Sequence, residues 1–235
     1  MTSAAITTRP PASESAAPST VVFTIVSKNY LHFARTLMQS VAQHAPNARR
    51  FVLLVDENRG ELDLARERFE VVEFDELPLP EPRKFAFRYT ILELNTAVKP
   101  WMFEWVFERV HADRVVYFDP DICLYRSPVE LERMLDEGAT MLLTPHITGE
   151  LDDEHRPHEL DIVRAGSYNL GFLALARGDT ASHFLRWWQR KLEKHCVVDH
   201  DRGLFVDQKW LDLAPGMFDG VRVLRDEGYT FMRSI

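Results

Sequence analysis

Two carboxylates one residue apart, Asp119-Pro120-Asp121, stand at the end of the apolar run 114–118. At the carboxyl edge of a buried strand, such a pair can reach one divalent cation. A hard cation such as Mg²⁺ or Mn²⁺ takes oxygen ligands and bridges readily to substrate phosphates. The chemistry this suggests is the handling of a nucleotide-activated sugar. A lone D-x-D is also ordinary turn sequence, so its weight comes from its place after a strand.

Other polar residues fall at comparable places. Ser27-Lys28-Asn29-Tyr30 closes the apolar run 21–26. Lys99 precedes Pro100 ahead of the D-x-D strand. Asn169 and Gly171 lead into the apolar run 170–176, and Asp207-Gln208 lies in a late helical segment. Each has a plain structural use when taken alone. Tyr30 suits a half-buried helix start, and Lys99 reads as a solvated charge. Asn169 and Gly171 are turn residues, and Asp207 complements a helix N-terminus. Trp187, Trp188 and Trp210 read as packing. His155-x-x-His158 with Asp152 and Asp153 carries metal-ligand types, but in a polar loop these read as solvated side chains.

The elements that position these residues follow from periodicity. Strands are expected at 21–26, 51–55, 69–74, 114–118, 139–143, 170–176 and 221–224. Helices are expected at 30–44, 84–95, 101–110, 128–137, 181–194 and 205–213. The segment 144–167 is polar and lacks periodicity, and long loops of that kind are usually functional. Strands alternating with helices predict an α/β fold, a three-layer sandwich with a mostly parallel central sheet. Ligands of such sheets bind at the carboxyl ends of the strands. Both 27–30 and 119–121 fall at such ends.

Composition narrows the function. The 235 residues carry a formal net charge of −8, and no basic stripe interleaved with aromatics is present, which argues against a nucleic-acid partner. The two cysteines, Cys123 and Cys196, are far apart and read as reduced, buried thiols. Residues 1–20 are rich in Ala, Ser, Thr and Pro without an apolar core, so they read as a disordered tail rather than a secretory signal. One domain over 21–235 is expected. No run is long enough to span a membrane, and the expectation is a cytoplasmic protein, peripheral at most to the inner face of the membrane. No G-x-G-x-x-G follows the first strand, and neither a P-loop nor G-x-S-x-G is present, which disfavours dinucleotide, P-loop and serine-hydrolase chemistry.

The order of motifs over 21–225 resembles the GT-A glycosyltransferases, specifically the retaining group that includes glycogenin and bacterial lipopolysaccharide galactosyltransferases. Residues 22–30 resemble that group's first strand and nucleotide-base turn. Thr96-Ala97-Val98-Lys99 resembles its T-x-x-[RK] segment, 115–122 its metal strand, Tyr168-Asn169-Leu170-Gly171-Phe172 its N-x-G strand, and Asp207-Gln208 its D-Q pair. The resemblance implies Mn²⁺ or Mg²⁺ on Asp119 and Asp121. It implies base and nucleoside contacts from Tyr30 and Asn29, and a donor contact from Lys99. It places Asn169 and Gly171 along the sugar pocket and Asp207 or Gln208 at the reacting carbon, leaving open which of them attacks or stabilises. A hexose would pass from a nucleotide-diphosphate sugar, UDP-linked, to a glycan or lipid-linked acceptor with retention. Two departures stand out. Ser27 occupies a position where the family often has an acid, and no His follows His200 to supply the usual third metal ligand. The chain reads as a fragment, a frameshifted product or a minimal variant. The rival readings are a metal-dependent phosphoesterase using the His-rich loop, and a non-catalytic nucleotide-sugar-binding remnant.

Overall fold

The run 20–26 is apolar at nearly every position because both of its faces are covered. The computed structural model describes residues 19–151, 156–226 and 228. Along them run β1 Thr20–Val26, α1 Leu31–His44, β2 Arg49–Leu54, β3 Glu70–Glu73, α2 Pro82–Arg88, α3 Ile91–Ala97, α4 Lys99–Trp105, β4 Arg114–Phe118, α5 Val129–Asp136, β5 Met141–Leu143, α6 Glu159–Ala165, β6 Phe172–Ala176, α7 Asp179–His195, β7 Val198–Asp199, β8 Leu204–Phe205, α8 Ala214–Met217 and β9 Val221–Val223. The main sheet has the order β3-β2-β1-β4-β6-β5-β9. Strands β1 to β4 are mutually parallel, β6 runs antiparallel to β4 and β5, and β9 is parallel to β5. β7 and β8 form a separate hairpin.

Side chains alternate across a strand, and the two faces of the sheet make two cores. Phe23 and Ile25 of β1, Leu53 of β2 and Val115 of β4 pack with Met102 and Phe103 of α4 and with Phe184 and Trp188 of α7. On the opposite face, Val22, Val52, Leu54 and Val116 pack with Leu37, Met38 and Val41 of α1 and Leu131 of α5. Full burial of such side chains contributes roughly 1.5–3 kcal/mol each. Phe23 meets the edge of Phe103 at 4.8 Å between ring centroids and leans on Tyr117 at 5.2 Å. Trp187 and Trp188 are buried in this core, and Trp210 packs partly buried against it.

β1 lies between β2 and β4, so the chain leaves β1 in one direction and later returns to the other side. That reversal opens a crevice at the carboxyl ends of β1 and β4.

Three expectations are corrected. The helix expected over 84–95 is two helices, α2 and α3. Tyr89 between them is extended, and Thr90 caps α3 by accepting from the Glu93 amide while the Glu93 carboxylate accepts from the Thr90 amide. The segment 144–167 contains α6, whose one buried side chain, Ile162, leaves no apolar stripe to read. The helix expected over 205–213 is β8 followed by a 3₁₀ helix, Gln208–Leu213. The tail 1–18 and the residues Asp152, Asp153 and His155 lie outside the described residues.

Buried His146 ties the start of 144–167 to its end. Its backbone amide donates to the Ser167 carbonyl at 2.9 Å and its Nδ1 contacts the Gly166 carbonyl at 2.9 Å. Burial pushes the imidazole below its ordinary value of 6.5, partly offset by the Gly166 carbonyl. The folded state therefore binds this proton less readily than the unfolded chain, and stability should fall as pH drops below about 6.5. We expect denaturant midpoints between pH 7 and 5.5 to show a pH slope that His146→Gln removes, amounting to at most about 1.4 kcal/mol per pH unit.

Candidate active site

The amide of Asp119 donates to the Gly171 carbonyl at 2.7 Å, extending the β4–β6 ladder one pair beyond Phe118 and Phe172. This bond fixes where the first carboxylate leaves the sheet. Its Oδ1 accepts the hydroxyl of Tyr117. Burial and the adjacent carboxylate hold that phenol well above its usual pKa, so it stays a donor. Oδ2 faces Gly171, where a Cβ would stand 3.0 Å from it and 3.0 Å from the Asn169 side-chain oxygen. Asn169 in turn accepts the Gly171 amide at 2.8 Å. Glycine at 171 thus keeps the approach to Oδ2 clear. Asp121 is exposed, one residue beyond Pro120.

Behind Asp119 lies a buried charge. The Lys99 ammonium, at the first turn of α4, is 2% exposed and sits 2.8 Å from Asp207 Oδ2, 4.0 Å from Asp119 Oδ1 and 4.5 Å from the centre of the Tyr117 ring. It donates to the Leu170 carbonyl at 2.8 Å. Asp207 is equally buried, and its Oδ2 meets the ammonium as an ion pair outside hydrogen-bond geometry. Burial acts on the two partners in opposite senses. It lowers Lys99, but Asp207 and Asp119 more than offset this and the net shift is upward. For Asp207, burial and Asp119 push the carboxyl up against the pull of Lys99. With two carboxylates and a carbonyl around it, the ammonium is held in its protonated form.

Asp207 enters the core through a strained turn. Val206 adopts φ 39°, a left-handed conformation that β-branched residues avoid. Strain of that kind costs on the order of 1–3 kcal/mol. It lets the chain turn from β8 into the 3₁₀ helix with the Asp207 side chain pointing inward.

Across the crevice, Ser27 donates to the Asn29 side-chain oxygen at 2.6 Å, leaving the Asn29 amide nitrogen uncommitted among the described residues. Tyr30 is 47% exposed at the mouth, and its ring lies 5.4 Å from Phe33. A cavity of about 320 Å³ separates the two sides, lined by Asn29, Tyr30, Ile91, Leu92, Thr96, Asp119 and Asp121 among others. Asn29, Tyr30, Asp119 and Asp121 thus line one cavity. Lys99, Asn169, Gly171 and Asp207 are not among its lining residues. Gln208 is turned elsewhere, with its amide nitrogen donating to the Ala165 carbonyl at 2.9 Å.

Tyr117 escaped sequence reasoning, although a tyrosine within an apolar strand signals a buried hydroxyl that needs a partner. Ile91 and Leu92, an exposed apolar pair on α3, gave no signal.

Two carboxylates fit a cation that keeps most of its shell for water and phosphate oxygens. Among the described residues, no group of three His, Cys, Asp or Glu is placed to hold a metal ion. His158, the described half of the His-rich pair, is exposed at the start of α6, where its backbone amide donates to Asp161.

Removing one partner of a buried ion pair strands the other and typically costs about 3–5 kcal/mol. We expect Lys99→Met to destabilise by that amount and Lys99→Met/Asp207→Leu to recover most of it. Urea midpoints of these two variants and of Asp207→Leu alone check this, and a double-variant loss equal to the sum of the two single losses would mean the pairing carries no coupling energy.

No family model matches the sequence. A Bacillus subtilis (strain 168) protein, "Uncharacterized protein YfnD", is 25% identical over 211 residues, covering 87% of this chain and 65% of that protein. Among solved structures, the glycosyltransferase GlyE of Streptococcus pneumoniae TIGR4 superposes with a TM-score of 0.55 at 17% identity, over 90% of this chain and 46% of that one. The galactosyltransferase LgtC, solved with donor and acceptor sugar analogues, superposes with a TM-score of 0.50 at 18% identity, over 87% of this chain and 72% of that one. The chain therefore spans less than half the length of GlyE and about two thirds of YfnD. At these identities the likeness is one of fold, and the fold is that of the GT-A glycosyltransferases.

Proposed function

We propose that this chain is the catalytic domain of a glycosyltransferase that moves a hexose from a nucleotide-diphosphate sugar, UDP-linked, to a glycan or lipid-linked acceptor. The observation that carries this reading is the convergence of Asn29-Tyr30 and Asp119-Pro120-Asp121 on one cavity at the topological reversal of the sheet, with a buried lysine behind it. That LgtC binds donor and acceptor sugar analogues on the same fold supports it.

In this reading Tyr30 provides a half-exposed ring for the base, and the free amide of Asn29 bonds the nucleoside. Asp119 and Asp121 hold Mn²⁺ or Mg²⁺, which when bound offsets charge on the departing diphosphate. Lys99 adds fixed positive potential beneath Asp119 from a site that water does not reach. Gly171 and Asn169 shape the floor where the sugar ring lies, and departure of the diphosphate leaves an oxocarbenium-like sugar. Asp207, buried and engaged by Lys99, acts by holding that lysine, and Gln208 would face the anomeric carbon only on release of its bond to Ala165. Retention follows from the family resemblance. The phosphoesterase alternative has no described residue pairing His158 with Asp121, and we do not favour it.

Two measurements test the reading. Melting temperature across a panel of nucleotide-sugars should rise for a UDP-hexose with Mn²⁺ and less without it, because a ligand that binds only the folded state stabilises it. Asp121→Ala should reduce donor hydrolysis or transfer by roughly 10²-fold or more, in line with loss of a charge-stabilising group, while leaving the unliganded melting temperature within about 1 °C, since Asp121 is exposed and surface changes are small. Activity that persists in this variant under excess chelator would remove the cation from the mechanism.

A further inference from the structure

A second cavity, of about 390 Å³, lies beside α1, away from the crevice, and shares no lining residue with it. Its walls carry four arginines, Arg35, Arg50, Arg66 and Arg68, against one carboxylate, Glu67. In a chain of net charge −8 this concentration of guanidinium groups runs against the overall balance. The floor is apolar: Met38 is buried and Phe69 packs on the α1-side core.

The arginines are not equally engaged. Arg35 is taken up by Glu67, which it grips through both Nε and Nη2, the latter at 2.6 Å. Arg66 pairs with Asp63 at 2.8 Å on the exposed rim. Arg50 is half-buried, near the amino end of β2, and its interaction among the described residues is one 3.4 Å contact to the Met38 carbonyl. Arg68 has no hydrogen-bond or ion-pair partner among the described residues. A half-buried guanidinium presents five donors and cannot shed its charge. Leaving such donors without acceptors is unfavourable, and a planar fork matches a phosphate oxygen pair.

We propose that this trough binds a phosphate ester carrying an apolar body, with Arg50 and Arg68 gripping the phosphate and Met38, Ala42 and Phe69 receiving the apolar part. The site is separate from the crevice and stands whether or not the proposed glycosyl transfer is correct. The same chemistry is met in a soluble phosphate ester and in the headgroup region of an anionic lipid surface, and the experiment separates the two.

The experiment uses the whole chain with EDTA present, so that a cation-dependent site in the crevice is silent. Binding of phenyl phosphate is followed by isothermal titration, and binding to vesicles of phosphatidylglycerol in phosphatidylcholine by co-sedimentation, each against pure phosphatidylcholine or inorganic phosphate. We expect Arg50→Gln/Arg68→Gln to weaken whichever binding is seen by about tenfold or more, as loss of charge-assisted bonds implies, and Asp121→Asn to leave it unchanged. Arg68→Gln alone, at an exposed position, serves if the double variant does not fold. Binding to phenyl phosphate identifies a soluble ester, and binding to vesicles alone identifies a lipid surface. No binding in either arm, or binding equal in wild type and variants, overturns the proposal.

Discussion

The ammonium of Lys99 is the charge around which this molecule is assembled. An ion of that size taken out of water loses several kcal/mol of solvation, and four groups meet that loss. α4 delivers the lysine, β4 supplies the Tyr117 ring and the residue just past it, Asp119, the loop before β6 supplies the Leu170 carbonyl, and the turn after β8 supplies Asp207. These elements are far apart in sequence, so the pair can form only when α4 and the turn after β8 have come together against the sheet. The strained Val206 fits the same logic. The chain accepts an unfavourable φ where doing so satisfies a buried cation.

The crevice inherits its character from that arrangement. Asp119 faces two ways, toward the protein through Tyr117 and Lys99 and toward the cavity through the oxygen beside Gly171. Asp121 is exposed and has no such anchoring among the described residues. One carboxylate is anchored and one is exposed, an arrangement that leaves room for a cation whose remaining ligands would arrive with a substrate. Across the cavity the same division recurs: Asn29 is steadied by Ser27, whereas Tyr30 stands open to solvent.

Much of this was legible in the sequence where a local rule governs. The buried strands announce themselves as apolar runs because the sheet is covered on both faces, and the boundary at Phe118 and Asp119 falls where the run stops. The Thr90–Glu93 capping box that divides 84–95 was also visible in the residues, but helical propensity on either side masks it. α6 could not be read, since one buried Ile162 makes no periodicity. The engagement of Asp207 with Lys99 was beyond local rules altogether: nothing near position 207 says that its carboxylate turns inward, because the partner that makes burial tolerable lies over a hundred residues earlier. Tyr117 shows the reverse case, a polar handle hidden in an apolar run.

The bond from the Asp119 amide to the Gly171 carbonyl makes the β4–β6 register a ruler for the crevice. Antiparallel pairing has a period of two, so a one-residue slip sends every side chain of β6 to the opposite face. Here such a slip would do more than misplace Leu173 and Leu175 from their core. It would take the glycine away from Asp119 and bring a side-chain-bearing residue against its carboxylate. Insertions between Asn169 and Ala176 are therefore intolerable, and the same few residues keep both the interior packed and the carboxylate of Asp119 uncrowded.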